Sequence, residues 1–166
     1  MNNRSVIGIR EPGSLVLVQS LLRQGIAVRI RVSGNSMRPL LKGGEVIEIA
    51  PLLGNRLQLG EIFFLYDRTG NPLVHRLIWR RLQNGRLHLL TKGDACAGFD
   101  GFSPADNVLG QVRRIIPETG PPISLNTPFQ WFMASLIVSH TLIFHALRRL
   151  HLWLCGCGKI IVPPVE

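Results

Sequence analysis

The sequence predicts a mainly β domain, preceded by a short helix and followed by an apolar helix. Three observations carry this expectation. Between residues 27 and 116, short apolar runs alternate with charged residues at period 2 or fill whole strands. Turn signals containing Gly or Asn separate these runs. From Phe129 to Leu147 the chain is apolar on nearly every helical face.

Glu11-Pro12-Gly13-Ser14 reads as a helix start with Ser14 as the N-cap. Leu15, Val18, Leu21 and Leu22 then share one face, and Gly25 is a stop signal, so a helix is expected from Leu15 to Gln24. Its face carries too few Lys or Arg for a membrane-surface helix and suits packing on the domain. Val28-Arg29-Ile30-Arg31-Val32 alternates apolar and basic residues as a half-buried strand does. Further strands are expected from Glu45 to Ile49, Glu61 to Tyr66, Leu73 to Leu82, Arg86 to Thr91 and Leu109 to Ile116, with Asn84-Gly85 as a hairpin turn. Residues 117–128 hold four prolines and read as a linker. The chain therefore divides into an N-terminal helix (1–26), a β domain (27–116), the linker (117–128) and an apolar helix with its tail (129–166).

Hydrophobic residues make up 46% of the 166 residues and charged residues 17%, a balance that supports a sizeable core and excludes disorder over most of the length. The net charge of +9 favours anionic partners. No dense basic run is present, so an anionic membrane surface is favoured and no nucleic acid is expected. Arg4 and Arg10 leave no apolar core between them for a secretory leader. The segment from Phe129 to Leu147 is near the minimum length for crossing a bilayer, at the boundary with a buried or interfacial helix. Gln130, His140 and His145 weaken a spanning reading, while Arg148, Arg149 and Lys159 follow it as cytoplasmic flanking charges would. Membrane association through this segment is the expectation. Three cysteines make no disulfide framework, and Cys155-Gly156-Cys157 is too tight for a usual zinc knuckle, so neither metal nor cofactor is expected.

Three stretches contain groups with chemistry. Ser33-Gly34-Asn35-Ser36-Met37-Arg38-Pro39 follows a strand; Gly34 permits a sharp turn that lifts the Ser36 hydroxyl out of the sheet. His75 lies in the apolar strand Pro72-Leu73-Val74-His75-Arg76-Leu77, and histidine is suited to base catalysis near neutrality. Asp94 and Asp100 lie in a Gly-containing loop after a strand; one of them can accept an imidazole N–H and fix its tautomer. Each stretch alone is ordinary: a polar loop, a core histidine, a turn with Asx bonds. The acid spacing does not match an EF-hand.

Together they resemble the signal peptidase I family and its wider clan, which includes the LexA-type self-cleaving repressors. Ser33 to Pro39 is similar to the nucleophile box, Gly60-Glu61-Ile62-Phe63-Phe64 to the strand after it, and Val74-His75-Arg76-Leu77 to the strand carrying the base. Lys92-Gly93-Asp94 resembles the Lys-Gly-Asp box of the branch that uses His where bacterial enzymes use Lys, and Leu109-Gly110-Gln111-Val112 its closing strand. The resemblance spans residues 27–116. It implies a LexA/signal-peptidase-like twisted β domain and a serine endopeptidase that cuts extended peptides or preproteins after small residues. Ser36 would be nucleophile, His75 base and Asp100 its partner, with Ser33 or Asn35 assisting the Ser36 N–H at the oxyanion and Asp94 holding its loop. Gly43-Gly44-Glu45 stands where Gly-Asp is usual, Cys96 and Gly98 replace residues that are often polar, and the family's N-terminal anchor has no counterpart. Attachment would then fall to the C-terminal segment. Two other classes remain: a self-cleaving regulator, for which the one helix before residue 27 is short of a helix-turn-helix, and a silent peptide-binding relative.

Overall fold

The computed structural model describes residues 6–8, 12–52, 54, 56–125, 136, 138–140, 143, 144 and 146–151. In chain order these form β1 (Val6–Gly8), α1 (Pro12–Arg23), β2 (Val28–Arg31), β3 (Val46–Ala50), β4 (Ile62–Tyr66), β5 (Pro72–Gln83), β6 (Arg86–Lys92), β7 (Phe102–Pro104), a 3-10 turn (Ala105–Asn107), β8 (Val108–Ile116) and β9 (Ile123–Ser124). The strands join in one open sheet of order β1-β2-β3-β8-β4-β5-β6-β7, with β9 on β8. Every pairing is antiparallel except β1 with β2. The architecture is mainly β, as its alternating runs predict.

The patterning explains which faces are covered. α1 places Val18 and Leu22 on one side of the sheet, against Val28, Ile30, Ile47, Ile49, Ile62, Phe64, Val112 and Ile115. On β4 the intervening Phe63 and Leu65 join a second cluster with Leu77, Leu89 and Val108. β4 is thus covered on both faces, which is why its run is continuously apolar. β2 and β3 turn Val28, Ile30, Ile47 and Ile49 to the α1 side, and on the other face Arg29 pairs with the buried Glu48 at 3.4 Å. α1 begins at Pro12, so Ser14 lies in the first turn and is not the N-cap. Proline suits a first turn because its missing N–H has no helical partner there.

Three strands had no sequence signal, because two or three residues are too short to show a period: β1, β7 and β9. β9 changes the expected linker. β4 pairs with β8 only up to Gln111, and β9 takes the same edge at Arg114 and Ile115. The Leu125 N–H donates to the Arg113 carbonyl at 2.9 Å, so the proline-rich stretch returns along the sheet before leaving it. An edge position tolerates prolines nearby.

The expected apolar helix from Phe129 to Leu147 is not supported as a continuous element. Residues 136, 138–140, 143, 144 and 146–151 are helical, while 126–135, 137, 141, 142 and 145 lie outside the described residues, as do Cys155 and Cys157. Among the described residues, no helix is long and apolar enough to cross a membrane.

Gly110 is where β8 meets the core most closely. A Cβ there would lie 2.5 Å from Ile49 Cγ2 and 2.8 Å from the Ala50 carbonyl oxygen. The backbone oxygen cannot step aside cheaply, so Gly110→Ala should cost about 1–3 kcal/mol in urea unfolding. An unchanged midpoint would show that β3 and β8 can separate freely.

Candidate active site

The turn that carries Ser36 is built by burial on one side and glycine on the other. β2 ends at Arg31, and the chain turns through residues 34–40. Met37 and Leu41 are buried in the α1-side core and pin the turn from beneath. The Leu41 N–H donates to the Met37 carbonyl at 2.9 Å, and the Arg38 N–H to the Asn35 carbonyl at 3.2 Å. Gly43 closes the loop at φ 91°, and a Cβ on it would lie 2.7 Å from the Gly34 carbonyl oxygen. Beside it Glu45 accepts the Lys42 N–H at 2.9 Å. Burial alone would raise the Glu45 carboxyl; backbone N–H groups and the Lys42 charge outweigh it and hold the group below its ordinary value.

His75 comes from β5, where it faces Phe63 of β4 and is buried. Its Nε2 lies 3.0 Å from Ser36 Oγ, and its Nδ1 lies 2.7 Å from Asp100 Oδ2. An ionised carboxylate only accepts hydrogen bonds, so Nδ1 carries the proton. The neutral ring then offers the Nε2 lone pair to the Ser36 hydroxyl. Asp100 is itself held: Thr91 Oγ1 donates to the same Oδ2 at 2.7 Å, and the Asp100 N–H donates to the Thr91 carbonyl at 3.0 Å. Three side chains distant in the chain thus form one hydrogen-bonded line, with a fourth behind it.

The other face of β5 carries a second clamp. Arg76 follows His75, so its side chain leaves the opposite face of the strand. Its Nε and Nη2 reach Asp94 Oδ1 and Oδ2 at 2.8 and 2.6 Å, and its Nη1 reaches the Gly60 carbonyl at 2.6 Å. Only 6% and 3% of the two side chains are exposed, so this is a buried fork-to-fork pair. Asp94 therefore holds its loop through Arg76 and makes no contact with the imidazole. Gly93, between this pair and the hydroxyl, has no room for a side chain. A Cβ would lie 2.6 Å from the Ser36 carbonyl oxygen, 2.8 Å from Cys96 Sγ and 3.0 Å from His75 Nε2. The Ala95 N–H completes the junction by donating to the Ser36 carbonyl at 2.8 Å.

An open cavity of 840 Å³ lies beside Ser36, walled by residues 30–34 on one side and Pro72, Leu73 and Val74 on the other. Ser33 lines it; Asn35 is exposed and is not among the lining residues. Among the described residues, no group of His, Cys, Asp or Glu is arranged to hold a metal ion. Sequence reasoning missed Thr91, Arg76 and Gly93. Thr91 and Gly93 flank Lys92 beside Asp94, and Arg76 adjoins His75, so the signal lay in neighbours of residues already singled out.

No protein-family model matches the chain, and no curated protein matches it either.

Removing one partner of the buried pair leaves the other charge uncompensated. Arg76→Met and Asp94→Leu should each lower unfolding free energy by about 3–5 kcal/mol, and the double replacement Arg76→Met/Asp94→Leu should recover most of that loss. Urea titration of the four proteins measures it; additive losses would contradict a direct pair.

Proposed function

We propose that the chain is a serine endopeptidase of the signal peptidase I type, from the branch with a histidine base, on a LexA/signal-peptidase-like β domain. One observation carries the reading: His75 bridges Ser36 and Asp100 at hydrogen-bonding distance on both ring nitrogens. An extended peptide or preprotein lies in the cavity along the strands that wall it, held by main-chain bonds. His75 Nε2 takes the Ser36 proton as Oγ bonds to the scissile carbonyl carbon. The oxyanion is met by the Ser36 N–H with help from Ser33 or Asn35; one such donor is worth about 3 kcal/mol. The imidazolium, balanced by Asp100, returns its proton to the leaving amine as the C–N bond breaks. Water then repeats the sequence on the acyl-enzyme and releases the product acid. Asp100, fixed by Thr91, keeps the ring in the tautomer this needs.

The proposal extends to a membrane setting. Leu136, Ile143, Phe144, Leu147 and Leu150 are helical and exposed, and the chain carries a net charge of +9. Apolar exposure with excess positive charge suits an anionic bilayer surface.

A fluorogenic peptide ending in Ala-x-Ala before the cut, presented in detergent, tests the reading. The wild type should cleave it, and Ser36→Ala and His75→Ala should abolish cleavage while remaining folded. Asp100→Asn should lower kcat by about four orders of magnitude through the wrong tautomer. Gly93→Ala should also lose activity, because its methyl group displaces either the Ser36 carbonyl or the imidazole. Full activity in Ser36→Ala would sink the assignment.

A further inference from the structure

β2 leads directly into the turn that carries Ser36, and it has one edge on β3. Val32 continues that ladder: its N–H donates to the Glu45 carbonyl and its carbonyl accepts the Gly44 N–H, each at 2.9 Å. By alternation, the main-chain groups of Arg31 and Ser33 face the opposite edge. That edge is where any strand wishing to pair with β2 must lie. It is already taken by the chain itself. β1 pairs there in parallel, with Val6 opposite Arg29, Ile7 opposite Ile30 and Gly8 opposite Arg31. β1 therefore runs toward Ser36, and Gly8 lines the same cavity as Ser33, Gly34 and Ser36.

We propose that β1 is a built-in occupant of the peptide track, a self-segment that a substrate must displace. The proposal rests on the peptidase reading of this cavity. A peptide whose upstream residues pair with β2 on the way to Ser36 takes the path of β1, in the direction of β1. Arg31 lies five residues before Ser36 in the chain. Residues of a peptide more than about three positions upstream of the cut therefore meet Gly8 and Ile7, at the usual rise of about 3.3 Å per residue.

The strand is held weakly enough to be displaced. It has three residues, of which Val6 and Gly8 are exposed. Only Ile7 packs against the core. Such short edge pairings open at a small fraction of the global unfolding free energy. Yet β1 is tethered within a few residues of α1, whose Val18 and Leu22 are buried, so its local concentration at the edge is high. The result is a toll on long peptides: apparent affinity falls by the fraction of molecules whose edge is open.

Binding to the full-length chain carrying Ser36→Ala tests this without turnover. The probes are two fluorescein-labelled peptides that share residues after the cut. One has only Ala-x-Ala before it and the other has ten residues before it. Ile7→Pro removes a ladder donor and the one packed side chain of β1. It should tighten binding of the long peptide by about tenfold, the gain for an edge open one-tenth of the time, and leave the short peptide unchanged. Ile7→Asp should act in the same direction if the proline variant does not fold. Unchanged binding of the long peptide in a folded variant overturns the proposal, as does an equal gain for both peptides. A gain confined to the long peptide, in a protein that cleaves neither peptide when Ser36 is restored, would keep the self-occupied track and remove the peptidase reading.

Discussion

The buried pair between Arg76 and Asp94 is the constraint on which the site depends. β5 presents His75 on one face and Arg76 on the other, so any shift of the strand moves both. Arg76 ties that strand to the start of the 93–100 loop and, through the Gly60 carbonyl, to the approach of β4. Two charges taken out of water demand each other's geometry strongly, because neither tolerates a lost partner. The pair adds little net stability for the desolvation it requires. What it contributes is a narrow choice of positions for the loop that presents Gly93 and Ala95 to Ser36.

Close approach follows from that constraint. Gly93 brings loop backbone against the Ser36 carbonyl and the imidazole at distances no side chain would allow. On the far side, Gly43 lets the 42–45 loop fold under Gly34. The turn that carries Ser36 is held between two glycines and over two buried side chains, Met37 and Leu41. The Ser36 backbone is thereby held in place, and donors and acceptors set in advance are worth most where nothing must rearrange.

Much of this was legible in the residues. The alternation in β2, the unbroken run in β4 and the Asn84-Gly85 turn between β5 and β6 mark a mainly β chain. Ser36, His75 and the acids Asp94 and Asp100 are ordinary one stretch at a time and gain expected roles only through the family resemblance; Ser36, His75 and Asp100 lie in one line. Less legible were the features set by long-range pairing. Nothing local to Arg76 announces a carboxylate 18 residues later. Thr91 reads as one more β-branched strand residue, although its hydroxyl orients Asp100. β1 and β9 exist because β2 and β8 have open edges, which is a property of the assembled sheet. The helix start was misplaced because Ser14 is a good cap in isolation, while Pro12 fits a first turn better.

The 93–101 connection between β6 and β7 is fastened through both of its acids. Asp94 is gripped by Arg76 at one end and Asp100 by Thr91 at the other, while Ala97 and Gly98 between them face solvent. The two acids are thus anchored independently of the contour length that separates them. Variation in that span, whether by lengthening or by carrying an attached group, alters the outer rim of the site while the imidazole keeps its bearing.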